Sequence, residues 1–175
     1  MSGESGVSNS AQSRLTSHPS HLRIEGYASL WGVADLNGDV VQAGAFAESL
    51  ARTGAGGVRM LNQHDARAPV GVWDEMIEDW RGLFVRGRIE DWSAEARFAG
   101  ALSRAGALDG LSIGYRTARA RRQGRLRVLS GVDLWEVSLV TKTVRSNMVK
   151  PCRLLTPIPA TVPLRRRRAI ACADS

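Results

Sequence analysis

Cysteine is nearly absent from this 175-residue chain: the two present, Cys152 and Cys172, lie in the last quarter and form no C-x-x-C pair. That scarcity excludes a disulfide framework and a structural zinc site. Long apolar runs are missing too. No stretch approaches the roughly 18 residues of a membrane-crossing helix, and the opening MSGESGVSNSAQSRLTSHPS has no apolar core of a secretory signal. The expectation is therefore a cytoplasmic protein with no membrane partner. The same opening is rich in Ser, Asn and Gly with little to bury, so residues 1–20 are expected to form a flexible arm. Histidine occurs three times, and His18 and His21 sit at the margin of that arm. Histidine chemistry inside a folded domain must use His64.

What is present describes one globular domain, with 43% hydrophobic and 23% charged residues. We place it at residues 21–150, followed by a Pro- and Arg-rich tail at 151–175. The net charge of +7 is unevenly spread. Ten basic residues face fourteen acidic ones up to Tyr115, whereas fourteen face three from Arg116 onward. Six arginines fall within Arg116–Arg127 and four more form Arg165–Arg168. Such clusters suit phosphates or carboxylates. A basic nucleic-acid-binding module would interleave them with aromatic rings, and Arg116–Arg127 contains none, so nucleic acid is not expected to be the main partner.

The local pattern is mostly strand-like. His21 to Trp31 mixes β-formers with polar residues, and Asp35-Leu-Asn-Gly-Asp39 carries an Asn-Gly turn signal before Val40-Val41, giving a hairpin or strand-loop-strand. Ala43–Arg52 is a short helix candidate with Phe46 and Leu50 four apart. Val58–Gln63 reads as a strand that delivers His64 and Asp65 at its end. Pro69–Ile77 and Leu83–Ile89 flank a turn at Glu78–Gly82. Ser93 is a helix N-cap, followed by the stripe Phe98, Ala101, Leu102, Ala105. Leu111, Ile113 and Tyr115 alternate with Ser112, Gly114 and Arg116, and Leu126–Leu129 and Val132–Thr141 are further strands.

Gly110-Leu-Ser112-Ile-Gly114 matches G-x-S-x-G, but its serine follows a helix and enters a strand, and no histidine lies beyond His64. The α/β-hydrolase order of serine, acid, histidine is thereby excluded. A serine hydroxyl still becomes a nucleophile beside an imidazole whose tautomer a third group holds. Asp65, Asp133 and Glu136 are candidate orienters. Asp65 is the chain neighbour of His64, and in an extended strand adjacent side chains diverge. Glu136 lies in the apolar run Leu134-Trp-Glu-Val-Ser-Leu-Val140, where a charge is costly without a partner.

Six ordered blocks carry a resemblance: Gly26-Tyr-Ala-Ser-Leu; Asp39-Val-Val-Gln-Ala-Gly-Ala-Phe46; Leu61-Asn-Gln-His64-Asp65 with Pro69-Val-Gly71; Gly82-Leu-Phe-Val; Gly110-Leu-Ser112-Ile-Gly-Tyr115; and Glu136-Val-Ser-Leu-Val140-Thr. Over residues 21 to 150 the chain resembles the tailed-phage prohead maturation proteases, themselves similar to the herpesvirus assemblin serine proteases. The resemblance implies an α+β fold, a small, mainly antiparallel β-barrel with two or three surrounding helices. It implies Ser112 as nucleophile, His64 as general base and Glu136 as orienting acid; Asp65 stays the alternative acid on the residues alone. It implies a serine endopeptidase, without metal or organic cofactor, that cleaves scaffold segments of the major capsid protein and itself inside the assembling prohead. It also allows a homodimer. After Val140-Thr141 the family usually shows Pro-x-Asn, where this chain has Lys142-Thr-Val-Arg145-Ser-Asn147. By the same resemblance Arg145 is the analogue of an arginine in the region whose backbone amide serves the oxyanion. The rival within this fold is a non-catalytic capsid or scaffold component, favoured by the altered loop and disfavoured by retention of all three residues.

Overall fold

The computed structural model describes residues 21–35, 37–141 and 150–155. The arm at 1–20 and Arg165–Arg168 lie outside the described residues. Eight strands and two helices follow in chain order: β1 (Leu22–Leu30), β2 (Asp39–Val41), α1 (Ala47–Thr53), β3 (Arg59–Asn62), β4 (Asp65–Glu78), β5 (Gly82–Ile89), α2 (Ala94–Arg104), β6 (Gly110–Gln123), β7 (Leu126–Val140) and β8 (Lys150–Leu155). They form one sheet in the order β2-β7-β3-β4-β5-β1-β8-β6, with β6 also paired to β7. Most pairings are antiparallel, and the exceptions are β2 and β3, which both run parallel to β7.

The long hairpins follow from local sequence. Asp79 closes the β4–β5 turn by accepting the amides of Arg81 and Gly82 at 2.7 and 3.0 Å. In the β6–β7 hairpin Leu111 faces Leu139 and Ile113 faces Val137. Since side chains alternate, this pair of strands turns aliphatic residues into the core and Ser112, Gly114, Glu136 and Ser138 onto the other face. The core gathers Ile24, Phe46, Met60, Leu83, Val85, Leu111, Leu129 and Leu139, all at most 2% exposed.

The Asp35–Asp39 loop joins two strands as expected: Ala34 bridges Val40 antiparallel across it, and β2 lies parallel to Arg127–Leu129 of β7. There the buried Asp39 carboxylate receives Arg127 Nε at 2.6 Å and the Tyr115 hydroxyl at 2.9 Å. The Arg127 guanidinium holds that carboxyl below its usual range against the opposing effect of burial. Two local expectations are corrected. Phe46 precedes α1 rather than lying within it, and is wholly buried. Residues 151–155, read from sequence as the start of an extended tail, pair as part of β8 with β1 and β6, and Leu154 packs on the core; the rest of that tail lies outside the described residues.

Helix α2 starts where expected, with Ser93 Oγ accepting the Ala96 amide at 3.1 Å, but it buries the opposite face from the one its large residues suggest. Ala96, Ala99, Gly100 and Ser103 contact the sheet, and Phe98 is 61% exposed. Small side chains let the helix axis approach closely, and Ile89 fills the space over Gly100. Phe98→Ser should therefore change stability by less than about 0.5 kcal/mol. Ala99→Leu should cost about 1–3 kcal/mol through overpacking, both read from denaturant midpoints at constant slope.

Candidate active site

His64 occupies a strained position. Asn62 pairs with Asp65 across a two-residue turn, and the turn residues Gln63 and His64 have φ of 50° and 62°. Two positive φ values mark the mirror-image hairpin turn that usually takes Asn-Gly. A Gln-His pair there costs about 1–2 kcal/mol per residue. Three bonds hold it against β7 and the residue after it: the Gln63 amide to the Leu139 carbonyl at 2.9 Å, the His64 amide to Ser138 Oγ at 3.1 Å, and Gln63 Nε2 to Thr141 Oγ1 at 3.3 Å.

This turn brings His64 Nδ1 to 2.6 Å from Glu136 Oε1. A carboxylate can only accept, so the proton sits on Nδ1 and Nε2 is left as the basic nitrogen. The second carboxylate oxygen, Oε2, accepts from Ser138 Oγ at 2.5 Å. Ser138 is wholly buried and thus ties Glu136 to the His64 backbone through one hydroxyl. The bond to Glu136 raises the imidazole pKa above 6.5, partly opposed by burial. The partner of the buried glutamate is an imidazole and a serine rather than an arginine.

Gly114 is opposite Glu136 in the ladder, and a Cβ there would lie 2.0 Å from Oε1. The second glycine of G-x-S-x-G is therefore the space the carboxylate needs. Ser112 stands two residues before it, directly opposite Ser138, and is 5% exposed. Among the described residues no hydrogen bond joins Ser112 to His64. Ser112 lines a small cavity with Ala28, Leu30, Val41 and Tyr115, while His64 and Glu136 line a separate open cleft. The remaining acids are engaged elsewhere. Asp65 takes the Arg67 amide at 2.9 Å and Arg67 Nε at 3.1 Å, which lowers its pKa, and Asp133 takes Arg52 and Arg116. Arg145 lies outside the described residues. No cluster of His, Cys, Asp or Glu able to hold a metal occurs among the described residues. Sequence reasoning overlooked Ser138 and the role of Gly114. The signal available was their two-residue spacing from Glu136 and Ser112 on strands with one polar face.

Residues 9–148 match the family described as caudovirus prohead serine protease. The prohead protease of Enterobacteria phage HK97 is 35% identical over 96 residues, covering 55% of this chain and 43% of that protein. The match thus spans under half the relative's length. Among solved structures, the bacteriophage T4 capsid assembly protease aligns with a TM-score of 0.58 at 15% identity, over 70% of this chain and 84% of that one, a likeness of fold. The varicella-zoster virus protease aligns at 0.43 with 18% identity, over 68% and 57% of the two chains.

The raised imidazole pKa gives a signed test. In NMR titration the His64 ring should titrate above 6.5, and Glu136→Gln should move it down to or below that value. Linkage follows the same sign. The pair stabilises the fold fully below pH 6.5 and loses that contribution as pH rises through the raised folded value, so Glu136→Gln should flatten this part of the stability profile. Gly114→Ala, which crowds Oε1, should lower the His64 pKa in the same direction.

Proposed function

The chain belongs to the caudovirus prohead serine protease family, and from that premise we propose that it is a serine endopeptidase of capsid maturation. Its substrates are scaffold segments of the major capsid protein and the protease itself, within a prohead assembling in the host cytoplasm. The observation that carries the reading is the His64–Glu136 bond at 2.6 Å beside the strand position of Ser112. A histidine forced into a left-handed turn and bonded through Nδ1 to a buried acid is arranged for proton transfer at Nε2. Helices long and apolar enough to cross a membrane are absent among the described residues. The pairings also support reading the sheet as a small barrel, because β6 pairs with both β8 and β7 and the succession that starts at β7 returns to it.

In this mechanism Ser112 Oγ bonds to the scissile carbonyl carbon while His64 Nε2 takes the hydroxyl proton. Glu136 keeps the ring oriented and stabilises the imidazolium without itself being protonated. The imidazolium returns the proton to the departing amine as the C–N bond breaks. Water then attacks the acyl-serine with the same base, restoring the hydroxyl and releasing the acid. Ser138 acts as a positioning residue by holding Glu136 Oε2. The Ser112 hydroxyl and the imidazole come into hydrogen-bond contact on substrate binding, as is common for catalytic pairs that stand apart in the free enzyme.

Mass spectrometry of the protein co-expressed with its own capsid protein tests this. Ser112→Ala and His64→Ala should each remove activity by about a million-fold, and the double variant should be scarcely worse than either. Capsid-protein cleavage at the normal rate by Ser112→Ala would overturn Ser112 as the nucleophile, whereas no cleavage by the wild type would leave the non-catalytic capsid component as the better reading. Glu136→Gln should lose about 10⁴-fold. Since the base must be neutral, the acid limb of the wild-type rate profile should lie above pH 6.5 and move lower in that variant.

A further inference from the structure

The open cleft along the His64–Glu136 pair has a volume of roughly 520 Å³ and a wall chemistry that proton transfer does not use. Arg52, Arg59 and Arg116 all line it. Arg52 and Arg116 share a single carboxylate, Asp133, at 2.7 and 2.8 Å. Arg59 stands beside Glu136 in the parallel ladder, yet its guanidinium goes to the Ala66 carbonyl, and it pairs with no carboxylate among the described residues. Glu136 is committed to His64 and Ser138. Three guanidinium groups, each with five N–H donors, therefore meet one available carboxylate, and most of their donors are uncommitted.

The floor of the cleft is apolar. Leu61 and Leu134 contribute to it, and Trp135 stands in the β7 irregularity between Leu134 and Glu136 with 61% of its surface exposed. A large aromatic side chain left open beside a cationic rim suits a ligand with a short aliphatic stem and an anionic end. A guanidinium fork matches a carboxylate in two parallel bonds, where a point charge would not. We propose that this cleft is a specificity subsite taking an acidic side chain, Asp or Glu, of the substrate peptide within a few residues of the scissile bond. Arg59 is its principal anchor, and Arg52 and Arg116 form the rim. The inference rests on the peptidase reading above and adds a substrate class to it.

The test is digestion of a peptide library with randomised positions and amidated C-termini, so that side chains are the only carboxylates, read by mass spectrometry. Wild type should enrich Asp or Glu at one fixed position within three residues of the cut by at least about tenfold over Gln and Asn. Arg59→Gln should reduce that ratio to under about threefold, Arg59→Glu should favour Lys or Arg there, and Arg116→Gln should give an intermediate loss. The wild-type ratio should also fall between low salt and 0.5 M salt, because the rim is open to screening. Cleavage that depends on Ser112 but shows no acidic preference would overturn the subsite and leave the peptidase reading standing. An acidic preference untouched by Arg59→Gln and Arg116→Gln would place recognition elsewhere and equally overturn it. Absence of any Ser112-dependent cleavage would remove both.

Discussion

A carboxylate placed in an apolar strand governs the architecture of the candidate site. Glu136 lies among Leu134, Val137 and Leu139, and a buried charge there is costly unless both oxygens are satisfied. Each neighbour answers that requirement. Gly114 leaves the volume, Ser138 satisfies Oε2, and the turn after β3 is bent until the His64 ring reaches Oε1. Removing one of these leaves the charge unsatisfied, so the cluster is cooperative and its members cannot be valued one by one.

Strand β7 makes this possible because it has partners on both edges along much of its length. It accepts β6 antiparallel on one side and β2 and β3 parallel on the other. The parallel register with β3 sets Asn62 beside Leu139, so the turn that follows β3 arrives at Ser138 and Glu136. The same strand explains much of the arginine excess. Arg127 binds Asp39 and Arg119 reaches Glu48 at 2.9 Å, which fastens the basic hairpin to β2 and α1, while Arg116 binds Asp133 across the hairpin itself. The Arg127 and Arg119 guanidinium groups serve the fold, and they separate in role from Arg59, which pairs with no acid among the described residues.

Elements whose signals are local were legible in the sequence: the β4–β5 hairpin with its Asp79 turn, the Ser93 cap of α2, and the alternation in β6. What escaped was set by distant partners. Helix α2 carries two stripes of apolar residues, and the small one wins because close approach to the sheet outweighs the size of Phe98. The β2–β7 and β8–β1 pairings join residues about 90 and 130 positions apart, which no local period can report. Within the candidate site, His64 stood out through the scarcity of histidine and Glu136 through its apolar surroundings. Ser138 resembled any strand serine until the register set it against the His64 amide.

The turn at Gln63–His64 shows how orientation and stability trade against each other here. Asn-Gly would adopt the same backbone at little cost, whereas this pair carries strain at two successive residues. Strain persists only where the surroundings over-determine the conformation. Both turn amides are bonded to β7, so the backbone under the imidazole has little freedom to relax. The ring is directed by the strand it faces rather than by the turn that carries it. A histidine on a relaxed, solvated loop could meet Glu136 only by losing conformational entropy at each encounter, and here that entropy is already spent in folding.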